Sequence, residues 1–282
     1  MGSLMAARLL HAGHEVTVWN RSPAPAEELS AAGASVAVSP AQAVQDAEVV
    51  LSMLFDDDAQ EAVLLGANGA IAAMDTGALH IVCSTISVAL SDRLAEEHAV
   101  RGQEYVAAPV FGRPNVAAEG RLWIVAAGAG DAIAKARPVL EPLSRGISVV
   151  GVRPSQAHAV KLAGNFLITM MIQGLSEMAV FAKSAGLDPA LVLETVNSAL
   201  FQSPFYSAYI EVMLDPPAVP GATVALGEKD LRLLLEAARD KGIHLTIAER
   251  MEQRLAEAIA SGLAGTDWAG GMLRAAEIAA RG

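Results

Sequence analysis

The chain has 282 residues, 53% of them apolar and 18% charged, with a formal net charge of −11. That length suits one large domain or two ordinary ones with a sizeable core, and the composition excludes a disordered chain. The acidic balance argues against nucleic acid as a partner, because phosphate binding needs clustered Lys and Arg, but it leaves anionic small molecules open. A single cysteine, Cys83, rules out an intramolecular disulfide and fits a reducing compartment, the cytoplasm. It lies in the apolar run His80-Ile81-Val82-Cys83, which reads as a buried strand thiol rather than a nucleophile. The mean hydropathy of +0.38 comes from alanine and leucine in interrupted amphipathic stretches. No run of about 18 residues is free of charges and turn signals, so no membrane span is expected. Residues Met1–Met5 lack the charged region and cleavage site of a signal peptide.

In chain order the first half alternates. Ser3–Ala12 reads as a helix ended by Gly13, Glu15–Trp19 as a short strand, and Ala24–Ala32 as a helix ended by Gly33. Ser35–Val38 is a brief strand and Pro40–Val44 a short helix. Then come strand Glu48–Met53, helix Asp58–Leu65, strand Ala78–Cys83, helix Val88–Arg101 and strand Glu104–Ala107. Trp123–Ala127, Asp131–Leu143 and Ile147–Val150 complete the pattern. Short strands separated by helices imply βαβ crossovers and a parallel sheet. The run Val49-Val50-Leu51-Ser52-Met53 is apolar on both faces, as a buried parallel strand should be. Beyond residue 153 the strands stop. Gln156–Ala185 reads as one long helix, followed by helices over Pro189–Leu200, Pro204–Met213, Thr223–Asp240, Leu245–Ser261 and Trp268–Ala280. The expected fold class is therefore α/β. A Rossmann-type doubly wound parallel sheet over residues 1–153 precedes an all-helical domain over residues 154–282, and a long helix links them.

A dinucleotide-binding unit has a strand, a glycine-rich turn and a helix whose N-terminus holds the pyrophosphate. A second strand follows, ending in a residue that reads the adenosine ribose. This chain has the helix and the second strand. It lacks the first strand and the first two glycines, and only Met1-Gly2 stands at the place of the last glycine. After the second strand come Asn20-Arg21-Ser22. An NAD-selective site would place Asp or Glu here. A neutral residue followed by Arg favours NADP(H) over NAD(H), because Arg21 can stack on adenine and pair with a 2′-phosphate. The competing reading of Arg21 is a solvated loop residue.

Several segments in order resemble the β-hydroxyacid dehydrogenase family, which includes 3-hydroxyisobutyrate dehydrogenases and glyoxylate or succinic semialdehyde reductases. They are Met1-Gly2 with Met5-Ala6, Leu9 through Arg21, Met53-Leu54-Phe55-Asp56, Ser84-Thr85-Ile86-Ser87, Ala108-Pro109-Val110, Lys161-Leu162-Ala163-Gly164-Asn165 and Lys229-Asp230-Leu231. Each is weak alone; their order and spacing run nearly end to end. The resemblance implies a family start, a strand with Gly-Leu-Gly, roughly ten residues before Met1. A central parallel strand is hard to lose, so a start codon assigned too late is the favoured expectation.

The resemblance also implies roles. Lys161 is the general acid/base, and Asn165, one turn later on the same helix, orients the substrate. Carbonyl reduction by hydride needs a proton donor at the developing alkoxide, which a lysine in a partly desolvated cleft can supply. Read alone, Lys161 is an exposed helical lysine. The cofactor would be held by Met1, Gly2, Asn20, Arg21, Ser22, Leu54, Phe55, Thr85 and Lys229, with Ser84 beside Thr85. The substrate would meet Thr85, Phe111, Gly112, Arg113, Lys161, Asn165 and Asp230. Leu54-Phe55 and Ser84-Thr85 follow central strands at their carboxyl ends, where open α/β sheets bind ligands. Read alone, these are ordinary strand-end turns, and Lys229-Asp230 is a solvated pair.

The chain departs from the family in its substrate loop. The usual Asp-Ala-Pro-Val-Ser-Gly-Gly reads Ala107-Ala108-Pro109-Val110-Phe111-Gly112-Arg113. Arg113 can bind a carboxylate bidentately, or Phe111 can turn the pocket toward a less polar carbonyl or imine. Asp56-Asp57-Asp58 lacks the partners for a metal site, and no metal is expected. His158 reads as a helix-surface residue. The expected activity is NADPH-dependent reduction of a small aldehyde or ketone, run in reverse as a 3-hydroxyacid dehydrogenase. The alternatives are an imine reductase-like enzyme and a catalytically degenerate dimeric relative. The partners expected are a small carbonyl or hydroxyacid substrate and a second copy, a homodimer through the apolar C-terminal helices; no nucleic acid or membrane is expected.

Overall fold

The computed structural model describes residues 1–281. The chain divides into two compact units, Met1–Lys161 and a second beginning at Leu162.

The first unit opens with helix α1 (Gly2–His11), which Gly13 ends with φ +90, a backbone only glycine adopts freely. Strand β1 (Thr17–Val18) and β2 (Ser35–Val36) flank helix α2 (Ala24–Ser30) and pair in parallel as a sheet of their own. After α3 (Pro40–Ala43), β3 (Val49–Ser52) leads into α4 (Asp57–Leu65) and α5 (Ala70–Ala73). Strand β4 (Leu79–Val82), helix α6 (Val88–Val100) and β5 (Glu104–Ala107) follow, then β6 (Val110–Phe111), α7 (Pro114–Ala118), β7 (Leu122–Ala127), α8 (Gly130–Leu140) and β8 (Ser144–Gly151). The main sheet runs β3-β4-β5-β7-β6, with β8 beside β7.

Strands β3, β4 and β5 are parallel, in the register Val49, Leu79, Glu104. The sheet is not parallel throughout, as the alternation of elements had suggested. The chain turns back between β6 and β7, through Gly112 and α7, so β7 runs antiparallel to both β5 and β6. Strand β6 and helices α5 and α7 were not legible in the periodicity, being too short to show any. Among the described residues β3 has one strand neighbour, β4. Val49, Val50 and Leu51 are accordingly only half-buried, whereas every residue of β4 is buried. Helix α1 packs Met5 and Leu9 into the cluster formed by Leu79, Ile81, Val106, Leu122 and Ile124. Truncating one of these fully buried aliphatic side chains to Ala costs about 2–5 kcal/mol.

Helix α9 (Ser155–Ser184) begins in the first unit and continues into the second. Contrary to the sequence-based expectation, it is long and apolar enough to cross a membrane, by length and composition alone. No charged residue falls between Lys161 and Glu177. Half of its most apolar window is buried inside the fold, as in a core helix. The second unit continues with α10 (Pro189–Val196), a π-helical turn (Asn197–Phe201), α11 (Pro204–Leu214), α12 (Val224–Arg239), α13 (Thr246–Ala260) and α14 (Trp268–Ala279). Its core gathers Ile172, Met213, Leu231, Leu235, Leu255, Trp268 and Met272.

Candidate functional site

Strands β3 and β4 put their carboxyl ends side by side, and the candidate ligand residues follow these strands and β1 of the smaller sheet. Leu54 and Phe55 follow β3, Ser84 and Thr85 follow β4, and Asn20-Arg21-Ser22 follow β1. The first two loops are tied together: the Leu54 amide donates to Ser84 Oγ at 2.7 Å. Helix α4 fixes them further. Asp56 caps it by accepting from the Ala59 amide at 2.9 Å, and Asp57 Oδ1 accepts from the Ser87 amide at 2.9 Å. The acidic triplet thus has two of its members at work as cap and tie. No group of three or more His, Cys, Asp or Glu residues stands together as a metal site among the described residues.

The start of α1 reaches the same edge. A Cβ added at Gly2 would lie 3.7 Å from the Cβ of Met53, the residue after β3. The first turn of α1 carries no acidic residue and no side-chain cap. An uncapped helix N-terminus suits an anionic phosphate group. Phe55 is 55% exposed. Asn20, Arg21 and Ser22 are exposed, with Asn20 Nδ2 donating to the Ser22 carbonyl at 2.9 Å. These residues fit a dinucleotide by their chemistry: an open helix end for its pyrophosphate, an arginine after β1 and an exposed apolar ring after β3.

Lys161 is buried, unlike the exposed lysine that the helix pattern alone suggests. Its Nζ lies 4.3 Å from the centroid of the Phe111 ring, a cation–π contact. Phe111 is backed by a small apolar cluster of Ala107, Val125, Ala127 and Ala157. Gly112 follows with φ +147, and an added Cβ there would sit 2.7 Å from Leu122 Cδ2. Only glycine fits this turn, which aims Phe111 while Arg113 opens α7.

In the second unit, Asn165 Nδ2 donates to Asp230 Oδ2 at 2.5 Å, and Lys229 Nζ pairs with Asp230 Oδ1 at 2.8 Å. All three side chains are buried, so Lys229-Asp230 is an internal ion pair, not the solvated pair the sequence alone suggests. His158 is also buried rather than on the helix surface. Cys83 is buried, and burial pushes its thiol up to about 12.

Periodicity did not reveal Ser52, Gln60, His80, His98 and Gln103, which form a buried chain leading inward from Ser84. The histidines are 18 residues apart in sequence, and only the parallel pairing of β4 and β5 with α6 across them brings their rings to a centroid distance of 4.9 Å.

The family model for the NAD binding domain of 6-phosphogluconate dehydrogenase matches residues 1–151. That for the NAD-binding domain of NADP-dependent 3-hydroxyisobutyrate dehydrogenase matches residues 155–274. The chain is 39% identical over 270 residues to an uncharacterized oxidoreductase, YfjR, of Bacillus subtilis, covering 95% of this chain and 94% of that one. It is 34% identical over 246 residues to 3-hydroxyisobutyrate dehydrogenase of Pseudomonas aeruginosa, covering 85% and 82%. Among solved structures, Mycobacterium tuberculosis 3-hydroxyisobutyrate dehydrogenase with L-serine superposes with a TM-score of 0.83 at 26% identity, over 96% of this chain and 94% of that one. Fold and matches together define an NAD(P)-dependent oxidoreductase acting between CH–OH and C=O groups. The chain belongs to the β-hydroxyacid dehydrogenase family.

Proposed function

We propose that this protein is an NADPH-dependent reductase of a small aldehyde or ketone, working in reverse as a 3-hydroxyacid dehydrogenase, with Lys161 as general acid/base. The observation that carries the reading is Lys161 itself: an ammonium withdrawn from solvent and set over an aromatic face, on a helix that brings Asn165 round one turn later. When bound, the nicotinamide supplies or accepts the hydride at the carbonyl carbon. The ammonium of Lys161 gives a proton to the oxygen that becomes alkoxide, and takes it back in the oxidation. Asn165, held by Asp230, orients the carbonyl oxygen, and Lys229 fixes Asp230. Thr85, Phe111, Gly112 and Arg113 shape the substrate's surroundings, and Arg113 offers a carboxylate a bidentate partner.

Met1, Gly2, Leu54, Phe55 and Thr85 are assigned to the cofactor, with Asn20, Arg21 and Ser22 at its adenosine end. Arg21 with no acid beside it supports NADPH over NADH, as does the NADP-dependent enzyme in the second family match. Residues 1–153 bind the cofactor in this reading, and residues 154–282 supply the rest of the machinery. The exposed apolar side chains Leu167, Phe181, Leu191 and Leu200 support a homodimer through the helical unit. A sedimentation mass of one chain would overturn that assignment. The lone buried thiol suits the cytoplasm.

The test is Lys161→Ala against a panel of semialdehydes, ketones, 2-oxoacids and cyclic imines. Loss of a positioned general acid lowers kcat by about 10²–10⁴-fold while the fold melts cooperatively. Turnover at the original rate sinks the reading. Reduction of imines alone by the unaltered protein would place it with imine reductases. Failure to bind either nicotinamide would mark a degenerate relative.

A further inference from the structure

A buried hydrogen-bond chain runs inward from the carboxyl ends of β3 and β4. Gln60 Nε2 lies 3.0 Å from Ser84 Oγ and 3.2 Å from Ser52 Oγ. Ser52 Oγ is 2.9 Å from His80 Nε2, and His80 Nδ1 is 2.9 Å from His98 Nε2. His98 Nδ1 is 2.8 Å from Gln103 Oε1, whose amide nitrogen donates to the Ile71 and Met74 carbonyls, both at 2.9 Å. No side chain in the chain is more than 8% exposed.

The direction of every bond follows from its inner end. Two carbonyl acceptors demand both N–H groups of Gln103, so its oxygen must accept from His98 Nδ1–H. Burial drives both imidazoles to the neutral form: His98 falls to about 4, and His80 lies well below its usual value. A neutral His98 then has a bare Nε2 and accepts from His80 Nδ1–H. His80 Nε2 is bare in turn and accepts the Ser52 hydroxyl hydrogen. Ser52 Oγ is left as an acceptor for Gln60, whose second N–H goes to Ser84. Turning the Gln60 amide over would set its oxygen against the lone pairs of Ser52. Ser84 Oγ thus accepts twice, from Gln60 and from the Leu54 amide at 2.7 Å.

We propose that Gln60 is a positioning residue for the cofactor: through Ser84 it locks the Leu54-Phe55 loop to the Ser84-Thr85 loop, and the one-way chain through Ser52, His80, His98 and Gln103 holds its amide in the orientation this requires. The inference rests on the assignment of these two loops to the nicotinamide cofactor. Gln60 joins both strand ends to α4, and its nitrogen bonds Ser52 and Ser84, residues of those strand ends. An apolar contact of the same volume would hold the sheet together equally well, but it would not fix the loop amide.

Two measurements test it. With ¹⁵N-histidine in the unaltered protein, His80 and His98 should both appear as neutral Nδ1–H tautomers at neutral pH. Saturating NADPH should shift their ring resonances, although neither ring reaches the surface, and leave exposed His244 unmoved. Either ring found as the Nε2–H tautomer or as imidazolium, or no response of the pair to NADPH, overturns the proposal. The second measurement is NADPH titration of Gln60→Met, which keeps the volume and loses both donors. The dissociation constant should rise about tenfold, with kcat at saturation within about threefold of the original. Original affinity in a folded Gln60→Met protein sinks the positioning role. If the unaltered protein binds no nicotinamide, the functional reading has failed instead.

Discussion

In the proposed reading Arg21 carries the choice of cofactor on a single side chain. It stands exposed after β1, and no acid occupies the neighbouring position that would take up a 2′-hydroxyl. A guanidinium paired with a 2′-phosphate is a charge-assisted contact worth about 1.5–3 kcal/mol. Arg21→Ala should therefore weaken NADPH about 10- to 150-fold and leave NADH within about twofold. Nicotinamide fluorescence titration of both cofactors reads this directly, and equal losses for the two would refute the 2′-phosphate contact. Phe111 works at the same scale. The sequence flagged it only as an intruder in a loop, since a cation–π contact with a lysine 50 positions away leaves no local pattern. Gly112 looked like a family residue, and its positive φ and the Leu122 methyl beside it give the reason it stays glycine.

At the scale of elements, helices read better than their surroundings. The boundaries of α9, α12, α13 and α14 follow from 3.6-residue periodicity and glycine stops, both local signals. Strand β6 and helix α7 span two and five residues, less than a period that could be recognised. The polar interior was less legible still. Gln60, His80 and His98 look like unrelated residues until the sheet aligns them. Lys229 and Asp230 illustrate the same limit, for adjacent charges on a helix usually face water, and here Asn165 from α9 draws them inside. That burial has a measurable consequence. Removing the Asp230 carboxylate takes from the Lys229 ammonium and the Asn165 amide the acceptor they share, at a cost of up to about 3–5 kcal/mol. Urea unfolding of Asp230→Ala should show that loss. Asp230→Asn, which keeps an acceptor oxygen, should lose less. Stability unchanged in both would mean that the pair is solvated after all.

For the whole molecule, the buried histidine pair couples global stability to pH. His98 titrates near 6.5 when unfolded and is held down to about 4 in the fold, chiefly by burial. His80 is depressed in the same sense, by burial and by the charge that His98 would carry. Between those values the unfolded chain binds more protons than the native one, so stability must rise with pH. The contribution is complete above about 6.5 and drains away as pH falls toward 4. Each histidine adds a slope of up to about 1.4 kcal/mol per pH unit across that window. Urea melts at pH 7, 6 and 5 should therefore give steadily falling free energies. Carboxylates contribute at the acid end, so the discriminating comparison is His98→Gln, which cannot take up the proton. Its stability should fall less steeply, by about one proton's worth of slope, even though it starts lower at pH 7 for want of the bond to His80. Parallel lines for the two proteins would show that His98 takes up its proton as readily folded as unfolded. The interior at β4 would then be wetter than its complete burial implies.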